Sequence, residues 1–120
     1  MGLDMGLSKR PKFSEEIVYW RKANQIREWF VKRLGDKFVD NGETKVERED
    51  LEALVADCKK VLANHELAED ILPTSVGFFF GSQAYDEWYF SDLEDTVKMV
   101  TEAIETTDWD KEEVSYWEWY

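Results

Sequence analysis

The sequence has little of the chemistry that most metal and cofactor sites use. It contains one cysteine, Cys58, and one histidine, His65, in 120 residues. A single thiol cannot form an intrachain disulfide, and a zinc centre usually needs several cysteine or histidine ligands. Glycine-rich phosphate loops, EF-hand spacings and apolar runs of membrane-spanning length are also missing from the sequence. We therefore expect no metal, no cofactor, no membrane contact and a cytoplasmic location.

The sequence also lacks a nucleophile paired with a base. Cys58 falls on the apolar stripe of a predicted helix, where we expect it to act as a small buried hydrophobe. His65 lies at the end of that helix, and we expect it to cap the helix or to be exposed. Carboxylates are abundant, yet no pair is distinguished from a solvated surface. We therefore predict no catalytic residues and a protein that is not an enzyme.

Basic side chains are in the minority, and they are unevenly placed. The net charge is −12, with a balance of +4 over residues 1–34 and −16 over residues 35–120. A negative field of this size repels phosphate, so we expect no direct binding of nucleic acid. It suits a partner protein with a basic surface. The alternative is that the acidic charge keeps an aromatic-rich protein soluble.

Residues 14–34 are predicted to form one helix around which a single domain, residues 1–120, is organised. Ser14 is a favoured N-cap, and Gly35 is a favoured residue just beyond a helix C-terminus. An apolar stripe recurs between them at helical spacing. Its members are Tyr19, Ala23, Ile26, Phe30 and Leu34. We expect residues 1–12, which precede this helix, to be disordered or loosely packed.

Two further helices are predicted over residues 48–63 and 83–107, with a short helical turn over residues 67–72. The Asn41-Gly42 pair within residues 36–46 predicts either a hairpin or a tight loop between helices. The apolar run at residues 77–81 favours a buried strand or an ordered loop. Residues 113–119 alternate like a strand, which could pair with residues 78–80 or with the hairpin. The predicted fold class is α+β, predominantly α-helical, with three main helices and a small β element.

Three stretches of the sequence resemble a known family. They are YWRKANQIREWFV, LEALVADCKKVL and LPTSVGFFFGSQAYDEWY, and the resemblance covers most of residues 17–97 in order. They resemble a family of small uncharacterised proteins encoded by bacteriophages and prophages. The resemblance implies a phage accessory protein that adjusts host physiology or blocks host defence in the cytoplasm of an infected bacterium. It supplies no catalytic residues.

The resemblance also defines a candidate ligand site, provided that its two polar and aromatic stretches meet in space. Arginine or lysine would then pair with an anion, and tyrosines would stack on a ring or form hydrogen bonds with it. The alternative is an internal network in which Asp86 pairs with Arg21 and fixes helix packing. The candidate residues are Tyr19, Arg21, Lys22, Asn24, Ser82, Tyr85, Asp86 and Tyr89.

A second candidate surface combines acidic side chains with aromatic residues near the end of the sequence. The aromatic residues must be buried, either within the chain or against a partner. The expected function is to bind and inhibit a host nucleic-acid-handling or defence protein, as anti-CRISPR proteins and DNA mimics do. The alternative is a protein that binds or sequesters a nucleotide signal, and homo-oligomerisation stays open. The candidate interface comprises Glu94, Asp95, Asp108, Asp110, Glu112, Glu113, Trp117 and Trp119.

Overall fold

The computed structural model describes residues 2–10, 15–75 and 81–120. These residues form an α+β fold with a four-stranded antiparallel sheet, which confirms the predicted class. The sheet is larger than the small β element that the sequence predicts. The strands are β1 (Asp4–Arg10), β2 (Glu15–Arg21), β3 (Glu43–Val46) and β4 (Glu113–Trp119). The helices are α1 (Asn24–Leu34), α2 (Arg48–Ala63), α3 (Ala68–Ile71) and α4 (Glu87–Thr106), with 3₁₀ turns at Gly35–Lys37 and His65–Leu67.

The strand order in the sheet is β2-β1-β4-β3, so the first and last strands of the chain form its centre. Leu7 of β1 lies opposite Val18 on one side and Tyr116 on the other. One face of the sheet carries the core, because alternate residues of each strand point to it. The Phe30 ring of α1 stacks on Tyr116 with centroids 4.3 Å apart. The helices thus cover this face of the sheet.

The prediction of one helix over residues 14–34 is wrong in its first half. Residues Glu15–Arg21 form strand β2, and the helix begins only at Asn24. Val18 and Trp20 point into the core while Tyr19 is exposed, which is the two-residue alternation of a strand. Lys22 adopts a positive φ of 55°, which ends the strand before the helix begins. Ser14, the predicted cap, lies outside the described residues.

The prediction of a loose lead over residues 1–12 is also wrong. Residues Asp4–Arg10 form a central strand, and Leu3, Met5 and Leu7 are fully buried. The alternation of these apolar residues with Asp4 and Gly6 is a strand pattern, which the polar composition of the segment obscures. A strand at the centre of a sheet gains backbone hydrogen bonds on both sides, and this offsets its weak intrinsic preference.

Several other predicted elements are confirmed. Helix α2 has the predicted bounds, and its N-terminus is closed by a reciprocal capping box between Glu47 and Asp50. Helix α4 begins later than predicted, because Asp86 rather than Ser82 caps it by accepting a hydrogen bond from the Tyr89 N–H. Strand β4 and the short helix α3 also match the prediction.

The remaining predictions have mixed outcomes. Asn41-Gly42 lies in a loop, where only the following segment Glu43–Val46 is a strand, and this strand pairs with β4. Cys58 is fully buried as predicted, and His65 is exposed with its ring stacked on Phe90. Most of the predicted apolar element at residues 77–81 lies outside the described residues. No helix in the described ranges is long and apolar enough to cross a membrane.

Candidate functional site

A cavity of about 260 Å³ lies between the end of β2 and the N-terminal end of α4. It brings together the two stretches from which the candidate ligand site was predicted. Arg21 is the last residue of β2 and Lys22 follows it, while Ser82 and Asp86 come from the segment that leads into α4. Tyr89 also lines the cavity, so five of the eight predicted residues border the same space. The exposed indole of Trp88, which the sequence did not single out, lies at its edge.

The backbone at Lys22 holds this cavity in shape. The Lys22 N–H donates a hydrogen bond of 2.7 Å to the carbonyl oxygen of Leu3, which anchors the turn to the first residues of the chain. Gly81 has a φ of 93°, and a Cβ atom there would lie 2.9 Å from the Cβ of Lys22. Glycine therefore permits both the conformation and the close approach. Non-glycine residues with positive φ often occur where a site must be held in a fixed shape.

Asn24 has a packing role instead of a ligand-binding one. Its side chain is 1% exposed. The amide nitrogen donates to the carbonyl oxygen of Ser82 at 2.8 Å, and the amide oxygen accepts from the Ser75 N–H at 2.9 Å. One side chain on α1 thus holds both flanks of residues 76–80 in place.

Two of the predicted tyrosines also use their hydroxyl groups in packing. The Tyr89 hydroxyl donates to the carbonyl oxygen of Leu72 at 2.6 Å, and the Tyr85 hydroxyl accepts from the Thr74 N–H at 3.1 Å. Burial raises the pKa of Tyr89, and the adjacent Tyr85 adds to the effect. These contacts attach the segment after α3 to α4 and to the residues just before it, so both hydroxyls bond to the backbone of the same chain.

Tyr19 lies away from the cavity, on the open face of the sheet. Its hydroxyl donates to the Asp4 carboxylate, and this hydrogen bond raises the pKa of Tyr19. Arg21 also lies near Asp4, with 3.6 Å between its Nη1 and the carboxylate. The predicted alternative, an ion pair between Asp86 and Arg21, is not formed, because Asp86 caps α4 instead.

The cavity is bordered by both positively and negatively charged side chains. Lys22 and Arg21 face it from one side, while Asp86 and Asp92 face it from α4. Burial raises the pKa of Asp92, and the charges of Asp95 and Asp86 add to that effect, whereas a hydrogen bond from Gln25 opposes it. An anion in this cavity would therefore meet Lys22 and two carboxyl groups, while Arg21 borders the cavity with its Nη1 atom 3.6 Å from Asp4 on the open face of the sheet. Among the described residues no group of three or more side chains is arranged to hold a metal ion.

Two of the predicted interface carboxylates, Asp108 and Glu112, organise the turn between α4 and β4. Asp108 accepts from the Asp110 N–H at 3.2 Å, and Glu112 accepts from the Asp108 N–H at 2.8 Å. Glu112 also lies 3.5 Å from Lys9, and Glu113 lies 3.6 Å from Lys45. The charges of Glu112 and Glu113 are thus partly compensated by cations of the same chain.

The outward face of α4 is different, because its carboxylates have no cationic partner in the described part of the chain. Glu94 and Asp95, two of the predicted interface residues, lie on this face and are exposed. Sequence reasoning missed three further members that share the same side of the helix. Their positions opposite the buried Leu93, Val100 and Ala103 could have revealed them. The acidic face of α4 comprises Glu87, Glu94, Asp95, Glu102 and Glu105, with Lys98 as its one basic residue.

Trp117 and Trp119 lie on the open face of the sheet. Trp119 is 67% exposed, whereas the Trp117 indole lies over Gly6, where a Cβ atom would come within 2.8 Å of the ring nitrogen. The Tyr19 ring lies 6.3 Å from the Trp117 ring. Trp117 is thus partly buried within the chain, whereas Trp119 is not, and for Trp119 only the alternative of burial against a partner stays open.

Comparisons of the chain with protein-family models, with curated proteins and with solved structures gave no match. The assignment of a function therefore rests on the surfaces described above.

Proposed function

We propose that the protein is a non-enzymatic phage-type accessory protein that binds a basic surface of a host protein through the acidic face of α4. The expected target is a nucleic-acid-handling or defence protein, which carries a basic surface because its own ligand is a polyanion. The observation that supports this proposal is the row of unpaired carboxylates along a helix of 20 residues.

Two of these carboxylates, Glu102 and Glu105, do not benefit the helix on which they lie, whereas Glu87 in its first turn does. The last turn of α4 contains no basic residue, although Glu102 and Glu105 lie near the negative end of the helix dipole. Each unfavourable charge near a helix end costs about 0.3–1 kcal/mol. Thr106, Thr107 and the Trp109 indole donate to carbonyls near the helix C-terminus, and the Lys9 ammonium, from strand β1, donates to the carbonyl of Thr106 at 3.5 Å. The acidic residues near the C-terminus of α4 do not stabilise the helix, so we attribute them to binding instead of folding.

The proposal predicts that neutralising acidic residues of α4 weakens binding, while neutralising the same number of acidic residues elsewhere does not. The α4 variant carries Glu94→Gln, Asp95→Asn, Glu102→Gln and Glu105→Gln. The control variant carries Asp36→Asn, Glu66→Gln, Glu69→Gln and Asp70→Asn, all exposed positions outside α4. Both variants have the same net charge, so a difference between them reports the position of the charge rather than its amount. We expect the α4 variant to bind its partner at least about tenfold more weakly, since electrostatic interfaces depend on paired charges.

The measurement has two stages. The tagged protein is first used to capture partners from a bacterial lysate, and a captured nuclease, polymerase or CRISPR effector is then purified. Its activity is titrated with the wild-type protein and with both variants at several salt concentrations. Inhibition by the wild-type and control proteins, lost in the α4 variant and weakened by salt, supports the proposal. Equal inhibition by both variants contradicts it, as does the absence of any inhibited partner.

The cavity beside Lys22 favours a second candidate function, the binding of a nucleotide signal. Arg21 and Lys22 would contact phosphate, and the exposed Trp88 would stack on the base. Asp86 and Asp92 weaken this proposal because they face the same space. A thermal-shift assay with a panel of nucleotides tests it, because a bound ligand raises the melting temperature. A rise that Arg21→Gln removes would support this function, and no rise across the panel would reject it.

A further inference from the structure

The open face of the sheet carries an aromatic centre between two charged ends. Tyr19, Gly6 and Trp117 lie in one row across β2, β1 and β4, and Trp119 follows two residues along β4. Antiparallel sheets commonly leave one face to solvent, but that face is usually polar. Here it holds two of the four large hydrophobic residues that are exposed among the described residues, Tyr19 and Trp119. Tyrosine and tryptophan are enriched where proteins bind one another.

The charge of this face differs from that of the rest of the molecule. Four acidic and three basic side chains point from the strands to the open side, which gives a balance of −1 in a chain of net charge −12. Most of the remaining surface repels another copy of the chain, whereas this face does not. The charged residues of the face are Asp4, Glu16, Glu43, Glu113, Arg10, Arg21 and Lys45.

We propose that the open face of the sheet binds a second copy of the same chain, forming a two-fold symmetric dimer. In this dimer the two open faces lie against each other, and the two-fold axis runs between them, parallel to the strands and midway between β1 and β4. The axis places β1 of one copy over β4 of the other, and β2 of one copy over β3 of the other. Arg10 pairs with Glu113 across β1 and β4, so the axis places Arg10 of each copy over Glu113 of the other. Glu16 and Lys45 lie in one row at the two edges of the sheet, so the axis also brings these opposite charges together. The face is therefore complementary to itself, as a two-fold interface requires.

The size of the face sets the expected strength of the dimer. Three strands of seven residues and one of four, spaced about 4.8 Å apart and rising about 3.3 Å per residue, give roughly 400 Å² per copy. Two such faces bury about 800 Å², which is below the range of about 1,200–2,000 Å² for specific, stable interfaces. The dimer should therefore be weak and dependent on concentration. Salt weakens the ion pairs across the interface, but these pairs are exposed and contribute little. Screening of the repulsion between two chains of charge −12 outweighs that loss, so salt should strengthen the dimer.

This arrangement leaves the acidic face of α4 outside the interface. Helix α4 packs on the covered side of the sheet, where the Trp20 indole donates to Thr96 at 2.9 Å. A dimer formed through the open sides would present two copies of α4 on its outer surfaces. It would bind a multivalent target with avidity, although dimerisation itself does not rest on the proposed function.

The test uses two charge-reversed chains, Arg10→Glu and Glu113→Arg. Their side chains are 56% and 57% exposed, so both substitutions should leave the fold intact. In a dimer of either variant alone, the side chains at positions 10 and 113 that face each other carry the same charge, and this happens twice. We therefore expect each variant alone to be monomeric at concentrations where the wild type dimerises. An equimolar mixture restores both pairs between unlike chains, and we expect it to dimerise. A pairing within one chain could not produce this recovery on mixing.

Sedimentation equilibrium of the full chain from 5 to 500 µM, at low and at 0.5 M NaCl, provides the readout. Trp119→Ser should weaken the wild-type dimer at least about tenfold, while Trp88→Ser, which removes a 73% exposed indole on α4, should not. Circular dichroism confirms folding of each variant. The proposal is overturned if the wild type stays monomeric at 500 µM in high salt. It is also overturned if mixing restores no dimer, or if Trp88→Ser dissociates the dimer and Trp119→Ser does not.

Discussion

At the scale of single residues, the most constrained group is the carboxylate of Glu118. It points to the covered face of the sheet and is 2% exposed. Arg27 donates to both of its oxygens, at 2.9 and 3.1 Å, and the Tyr116 hydroxyl and the Asn41 N–H complete its partners. A buried carboxylate is tolerated only when its charge is paired and its lone pairs are satisfied. Glu118 thus joins α1, the loop before β3 and the last strand.

Removing the charge of Glu118 should therefore destabilise the protein strongly. Loss of one partner of a buried ion pair costs about 3–5 kcal/mol, because the other charge stays buried without compensation. In Glu118→Gln that charge is Arg27, whose side chain is 12% exposed and retains Asp40 as a partner at 2.8 Å. We expect a loss near the lower end of this range, measured by urea unfolding.

An exposed ion pair on the same sheet provides the control. Glu43 lies 3.2 Å from Arg10, with side chains 42% and 56% exposed. Such pairs contribute about 1 kcal/mol or less, so Glu43→Gln should change the free energy of unfolding only slightly. Similar losses in both variants would show that Glu118 does not hold the elements together.

At the scale of elements, strand β1 is the clearest departure from the sequence prediction. Its partners are β2, which follows at once, and β4, which lies at the other end of the chain. We predict that Leu7→Ala reduces the free energy of unfolding by about 2–5 kcal/mol, as expected for a fully buried leucine. Urea unfolding measures the loss. A change in the free energy of unfolding below about 0.5 kcal/mol would instead indicate that the N-terminal residues are loosely packed, since surface substitutions have effects of that size.

The sequence predicted the elements whose signals are local. Helix α2 carries its own cap and apolar stripe, and β4 has a clear alternation of residues. Strand β2 was misassigned because Val18 and Trp20 fit a helical stripe as well as a strand, and the sequence does not reveal the positive φ of Lys22. The pairing of β1 with β4 was also hidden, because contacts so distant along the chain leave no periodic pattern.

The candidate site was predictable to a similar extent. The sequence left open whether the residues at the end of β2 meet the segment containing Ser82 and Asp86, and the cavity brings the two together. The sequence could not show that the side chains of Asn24 and Tyr89 form hydrogen bonds with backbone atoms, because those atoms belong to irregular segments. The Glu118 carboxylate was missed too, although its position two residues after Tyr116 placed it on the apolar face of β4.

At the scale of the whole molecule, charge is distributed by face. The helical side carries the row of carboxylates on α4, and the open side of the sheet is nearly neutral and aromatic. Binding through α4 should weaken with salt because opposite charges attract, whereas self-association through the sheet should strengthen with salt because like charges repel. The sign of the salt dependence thus separates the two interactions in one protein.

The core also determines how the whole molecule responds to alkaline pH. Burial raises the pKa of the Cys58 thiol from 9.0 to about 12. Burial also raises the pKa values of Tyr89 and Tyr116 above 10.0, with the nearby Glu118 charge adding to the effect at Tyr116. These groups keep their protons in the folded protein and release them at lower pH in the unfolded chain. Their contribution to stability is complete below pH 9 and is lost as the pH rises towards the raised values.

We therefore predict that the free energy of unfolding is level near pH 8, begins to fall at about pH 9 and falls more steeply above pH 10. Each group contributes a slope of up to about 1.4 kcal/mol per pH unit. Urea unfolding followed by tryptophan fluorescence at pH 8 to 11 measures this, and absorbance at 295 nm reports tyrosinate formation. Cys58→Ala should remove the decline between pH 9 and 10 and leave the steeper part. Stability that stays level up to pH 11 would mean that these side chains are accessible to solvent in the folded protein, and the packing of α2 and α4 against the sheet would then have to be revised.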